Sequence, residues 1–168
     1  MTCRLANGGI AVRPRLTREQ VTESGLKTVG DPAYANLGFN PKSLAIVRRG
    51  MYEVVNNQQG TAHRAAFDIN GQKMAGKTGS SQVRRITMKE RETTGVIKNE
   101  ALPWKERDHA LFIAYAPADA PRYAACVVVE HGGGGSAVAA PIASEIMKET
   151  LRRDPSRQRV PLPTEGQA

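Results

Sequence analysis

The sequence predicts an α+β domain, an antiparallel sheet with helices packed on its faces. Three observations carry this expectation. Ala110–Ala116 and Ala124–Val129 are unbroken apolar runs of strand length. The stretch between them is shorter than the dozen or so residues a parallel crossover needs, so these strands must run antiparallel. Pro41–Asn57 and the stretch from about 138 to 152 carry apolar side chains at helical spacing.

Each element follows from local chemistry. Arg4 to Asn7 reads as the last turn of a helix, stopped by Gly8-Gly9. Ile10 to Leu16 has strand character, and Pro14 assigns it to an edge. Arg18 to Asn40 is polar and turn-rich and predicts no element. Asn40 is the expected N-cap of the next helix, with Pro41 at its first position. Leu44, Val47, Met51, Val54 and Val55 then form one apolar stripe. Thr61 to Phe67 predicts a short second helix, and Thr87 to Arg107 a charged, irregular excursion with Trp104 near its end. The two apolar runs are apolar at odd and even positions alike, so both faces are expected to be buried, with Cys126 a small core residue. His131 to Gly135 is a glycine turn. Val138, Ile142, Ile146 and Thr150 mark the expected inward side of the last helix. Residues 153–168, with three prolines and mixed charge, predict a disordered tail, leaving 1–152 as one domain.

The charge balance narrows the partners. Lys and Arg number 24 against 16 Asp and Glu, a net charge of +8 that favours an anionic partner: nucleic acid, a lipid surface or an acidic cell-wall polymer. The basic residues are spread along the chain with few aromatics among them, which argues against nucleic acid. No apolar run approaches the roughly 18 residues of a membrane span, and the N-terminus has no apolar core of a signal peptide. Cys3 and Cys126 make no disulfide framework, and with three histidines they show no metal-ligand spacing. No cofactor or metal is expected.

Gly71 to Val83 is the stretch that carries chemistry, and it admits two readings. Gly71 to Thr78 matches the phosphate-cradling pattern G-x-x-x-x-G-K-[ST]. A phosphate loop, however, needs a helix to begin at its Lys-Thr. Here Gly79-Ser80-Ser81-Gln82-Val83 follows, a poor helix start and a good strand. The apolar run ending at Glu130 imitates a magnesium-binding strand, but in an antiparallel sheet rather than the parallel sheet of nucleotide-binding folds. His131-Gly132-Gly133-Gly134 likewise mimics a lipase oxyanion turn, without any G-x-S-x-G elbow in the chain. The second reading places Lys77-Thr78-Gly79-Ser80 on an exposed edge strand of a serine acyl-transferase. Lys77 then supplies positive charge in the cleft, and Thr78 and Ser80 offer hydroxyls to a substrate carboxylate. Gly79 lets an extended substrate lie flat, and the backbone N–H of Ser80 serves as an oxyanion donor.

The surroundings favour the second reading. Arg107-Asp108-His109-Ala110-Leu111-Phe112-Ile113-Ala114-Tyr115-Ala116-Pro117 resembles the strand after the lysine motif in class B penicillin-binding proteins. Val128-Val129-Glu130-His131-Gly132-Gly133-Gly134-Gly135-Ser136, with Ala139-Ala140-Pro141-Ile142, resembles their last strand and closing helix. Arg49 to Asn56, Gly60-Thr61-Ala62 and Ala6-Asn7-Gly8-Gly9 match the segments before the motif. The resemblance covers about residues 1 to 152 and is strongest to the elongation-type group, penicillin-binding protein 2. It implies the C-terminal part of a transpeptidase domain, hence an incomplete serine β-lactamase-like fold. It implies a D,D-transpeptidase that cross-links peptidoglycan stem peptides through an acyl-enzyme and is inactivated by β-lactams. It also implies the periplasmic face of the inner membrane and the cell-elongation machinery as partner.

Two further signatures of that family, S-x-x-K and S-x-N, are not convincingly present. Ser24-Gly25-Leu26-Lys27 spells the first, and Tyr34-Ala35-Asn36 a variant of the second. The nucleophile should open a long helix, and Gly30-Asp31-Pro32 leaves no room for one. The nucleophile is therefore expected outside this sequence and the isolated chain is expected to be inactive, with Ala124–Val129 left as an unpaired apolar edge. The alternative is a non-catalytic module that binds anionic cell-wall peptides along Lys77–Ser80.

Overall fold

The computed structural model describes residues 1–17, 19–28, 33–93 and 95–154. Its centre is a three-stranded sheet of β3 (Ala75–Ser81), β4 (His109–Ala116) and β5 (Tyr123–Val129), in the order β3-β4-β5 and antiparallel throughout. The antiparallel pairing deduced from the short connection is thus present, with Ile113 opposite Cys126.

The N-terminal part matches the sequence at its helices and departs from it between them. Helix α1 (Thr2–Ala6) stops where Gly8 and Gly9 take φ of +85° and +96°, and the Gly9 N–H donates to the Arg4 carbonyl at 2.8 Å. No strand forms over Ile10–Leu16; only Ile10 bridges to Asn36, because no neighbouring strand is offered to the rest. Where no element was expected, β1 (Glu19–Thr22) and β2 (Gly25–Thr28) form a two-stranded hairpin pairing Thr22 with Gly25. Gly25 has φ +107°, and the Thr22 hydroxyl donates to the Gly25 carbonyl at 2.8 Å.

Helix α2 (Pro41–Asn56) is capped as expected: Asn40 Oδ1 accepts from the N–H groups of Lys42 at 2.9 Å and Ser43 at 3.4 Å. Met51 and Val55 are buried, while Val47, expected in the stripe, is 44% exposed. The helix is held to the sheet near its C-terminal end, where the Asn56 amide donates to the Met74 carbonyl at 2.8 Å. The helix expected over Thr61–Phe67 is a single 3-10 turn, His63–Ala65.

Burial separates the two sheet faces. On one, Phe112, Met74, Val55, Met147 and Leu151 form the larger cluster. On the other, Ala75 and Tyr115 pack with Ala6 and Met51. Helices therefore flank the sheet, as an α+β fold requires.

Two burial expectations are overturned. Strand β5 alternates: Val127 is buried, whereas Val128 is 56% exposed and Cys126 is an exposed free thiol rather than a core residue. The reason is position, since β5 is an outer strand and only one of its faces meets the core. In helix α4 (Ala140–Arg152) the inward residues are Ala140, Ala143, Ser144, Met147 and Leu151, while Ile142 and Ile146 point outward. Fully buried alanines at 139, 140 and 143 bring this helix close to the sheet, where the bulkier isoleucines would not fit. Beyond the helix, Asp154 is buried and paired with Arg122. The rest of the expected tail lies outside the described residues.

Among the described residues β5 has no second neighbour, and its run of Tyr, Cys and aliphatic side chains includes no Asp, Glu, Lys or Arg. Such an edge templates association. The chain is expected to self-associate with rising concentration in light scattering, and Val128→Lys to suppress this. A wild-type chain that stays monomeric and melts in one sharp transition would contradict the expectation.

Candidate active-site strand

Strand β3 is the other outer strand, and its second half holds Lys77, Thr78, Gly79 and Ser80. Its first half is locked into the fold: Ala75 and Gly76 are buried, and a Cβ on Gly76 would stand 2.5 Å from the Phe112 ring. From Lys77 onward the strand is exposed or half-buried. The fold thus presents these four residues along a rim.

The alternation of a strand sorts them. Thr78 and Ser80 pair with Phe112 and Ala110, which are fully buried, so their hydroxyls lie at the margin of the face carrying the larger cluster. Lys77 and Gly79 belong to the opposite face with Ile113 and Leu111. The Lys77 ammonium donates to the Thr78 carbonyl at 2.8 Å and to the Thr78 hydroxyl at 3.3 Å. That carbonyl points away from β4, and by strand alternation the Ser80 N–H points the same way.

Three neighbours brace this rim, and the sequence did not single them out as site residues. The Thr61 and Thr78 hydroxyls stand 3.3 Å apart. The Ser136 hydroxyl donates to the Thr61 carbonyl. The Ser80 hydroxyl reaches the Gly133 carbonyl at 3.5 Å. The glycine turn after β5 is pressed against the strand: a Cβ on Gly135 would collide with the carbonyl oxygens of Gly79 and Leu111. No spacing rule links these positions, which meet only through the fold.

The excursion after β3 is more ordered than its composition suggests. It holds α3 (Met88–Thr93) and 3-10 turns at Asn99–Ala101 and Trp104–Glu106. Arg84 grips Glu90 with two hydrogen bonds of 2.8 and 2.5 Å, which holds the Glu90 carboxyl below its ordinary value of 4.5. Because the folded value is the lower one, this staple acts fully above the ordinary range and is lost on acidification. The Trp104 ring packs tilted against that of His131 with centroids 4.5 Å apart, and the His131 backbone N–H donates to His109 Nδ1 at 2.9 Å.

The competing motifs separate cleanly. Lys77 and Thr78 lie mid-strand and not at a helix N-terminus, which excludes the phosphate loop. Ser24 stands in the turn between β1 and β2, with Lys27 within β2, so the S-x-x-K does not open a helix. Among the described residues no group of three or more His, Cys, Asp or Glu could hold a metal. No helix among them is long and apolar enough to cross a membrane.

Residues 1–148 match the family model of the penicillin binding protein transpeptidase domain. The peptidoglycan D,D-transpeptidase MrdA of Haemophilus influenzae is 37% identical over 152 residues, 89% of this chain and 22% of that protein. The corresponding enzyme of Salmonella typhimurium is 32% identical over 85% of this chain and 22% of its own length. This chain therefore spans about a fifth of the length of those relatives. Among solved structures, Pseudomonas aeruginosa PBP2, in complex with WCK 5153, matches with a TM-score of 0.61 at 33% identity, over 91% of this chain and 28% of that one. Helicobacter pylori PBP2, solved with MreC, matches with a TM-score of 0.63 at 26% identity, over 91% and 24%. The chain belongs to the penicillin-binding protein transpeptidase family, with relatives of the PBP2 type.

Proposed function

We propose that this chain supplies the substrate-carboxylate wall of a peptidoglycan D,D-transpeptidase. The observation that carries the reading is Lys77-Thr78-Gly79-Ser80 on the free rim of β3, with the Thr78 carbonyl turned outward. A stem peptide ending in a free carboxylate lies along the rim, adding its backbone to the strand. The Thr78 and Ser80 hydroxyls hold the carboxylate, and Lys77 provides the compensating charge. Gly79 removes the side chain that would lift the peptide off the rim. The Ser80 N–H stands where an oxyanion forms when a serine attacks the peptide carbonyl. Acylation joins that serine oxygen to the carbonyl carbon and releases the terminal residue as an amine.

Ser24 is not that serine, because a hairpin turn gives it no lysine partner one helical turn away. The chain therefore recognises the peptide, and acylation waits on a nucleophile that no described residue supplies. Placement at the periplasmic face of the inner membrane, association with the elongation machinery and inhibition by β-lactams follow from the same reading. A non-catalytic module that binds anionic cell-wall peptides is the second reading, favoured by the lack of a serine–lysine pair one helical turn apart at Ser24 among the described residues. Incubation with a fluorescent penicillin followed by intact mass spectrometry is expected to leave the chain unmodified. An adduct on Ser24 would overturn this division of labour.

A further inference from the structure

Beside Thr78 lies an open cavity of about 270 Å³ lined by Gln58, Gly60, Thr61, His63, Arg64 and Ser136. Its walls are fixed. The Ala62 N–H donates to the Val54 carbonyl at 2.9 Å, and the Gly60 N–H to the Asn57 carbonyl at 2.8 Å. A Cβ on Gly60 would meet the Glu53 carbonyl at 2.5 Å, so this turn sits tight against the end of α2. Thr61, which lines the cavity, places its hydroxyl 3.3 Å from that of Thr78 on the rim.

Its charge is unbalanced. Arg64 and His63 are exposed on their 3-10 turn, and among the described residues neither has a carboxylate partner. Some other arginines of the fold do, Arg49 with Glu53 at 2.7 Å and Arg84 with Glu90 at 2.5 Å, so what sets Arg64 apart is its place in the cavity wall. A fixed polar cavity with an unanswered guanidinium is suited to a carboxylate.

We propose that this cavity receives the acceptor strand of the cross-linking reaction, an acidic peptide whose carboxylate is read by Arg64 with His63. The inference rests on the function proposed above and extends it from the donor to the second substrate. In the transfer step the acceptor amine attacks the acyl ester. Its nitrogen forms the new amide, the bond to the serine oxygen breaks, and the proton lost by the amine ends on that oxygen. The attacking amine must occupy the place the leaving amine vacated, on the Thr78–Ser80 side of the carbonyl. The rest of the acceptor then extends past Thr78, and the cavity at Thr61 lies next along that line.

Isothermal titration of the chain with two kinds of probe tests this. The acceptor probe is a synthetic tetrapeptide with a primary amine, a free C-terminus and one further carboxylate, compared with its twin amidated at that carboxylate. The donor probe is an acyl dipeptide with a free C-terminus. Arg64→Gln is expected to weaken the acidic tetrapeptide about tenfold, as does amidation on the wild type, while leaving the dipeptide unchanged. Arg85→Gln, the same charge change on another exposed arginine, is expected to have no such effect. Equal losses in the two variants, or equal binding of the acid and its twin, would overturn the proposal. The underlying reading fails separately, if dipeptide binding is indifferent to Thr78→Val.

Discussion

Gly135→Ala is expected to lower the melting temperature by about 10 °C and to abolish peptide binding at the β3 rim. The position belongs to the wide helical turn Gly135–Ala139 that leads into α4. A methyl group there would strike the carbonyl oxygens of Gly79 and Leu111 and stand 3.0 Å from the Gly79 nitrogen. All three are backbone atoms of paired strands, so no side-chain rotation relieves the clash. Either the turn lifts away or β3 shifts. Overpacking of this kind costs about 3 kcal/mol, a shift of several degrees or more for a domain of this size. The shift falls on Gly79 itself, so recognition is lost together with stability. Thermal melting by circular dichroism and titration with the acyl dipeptide measure the two effects. Unchanged melting would mean that the turn is looser than the structure shows.

Phe112→Ala is expected to remove about 3–5 kcal/mol of stability, a large share of the roughly 5–15 kcal/mol that holds a typical domain. Phe112 is fully buried at the centre of the larger cluster, and its ring fills the space above Gly76. It is also paired with Thr78 across the sheet, so the cavity would open directly behind the rim. Urea unfolding measures the loss. Leu111→Ala, on the half-buried opposite face, should cost clearly less. If the two variants proved equal, the assignment of the core to the Phe112 face would be wrong.

The parts of the fold legible in the sequence are those set by local chemistry. Asn40 and Pro41 start α2 because cap and first-turn preferences act within a few residues. The pairing of β4 with β5 followed from a connection too short for any other geometry. What stayed hidden depends on distant neighbours. Cys126 and Val128 read as core because aliphatic side chains look alike whether one face or both are covered. The inward side of α4 was misassigned because close packing selected alanine over isoleucine, a criterion that hydrophobicity alone does not express. The β1–β2 hairpin was missed because Thr22, Ser24 and Gly25 compete as turn residues inside a polar stretch with weak alternation.

The strand that carries Lys77-Thr78-Gly79-Ser80 was legible, since Gly79-Ser80-Ser81-Gln82-Val83 is a poor helix start and a good strand. Its braces, Thr61, Gly133 and Ser136, were not, because hydroxyls and a glycine carbonyl acquire meaning only once the fold delivers them to Thr78 and Ser80.

The most direct test is residue-resolved: a ¹⁵N–¹H correlation spectrum of the chain titrated with an acyl dipeptide, first with a free and then with an amidated C-terminus. If the rim is a carboxylate wall, the free acid shifts the amides of Lys77 to Ser81, and the amide form leaves them in place. Shifts that ignore the carboxylate, or that map away from β3, would contradict it.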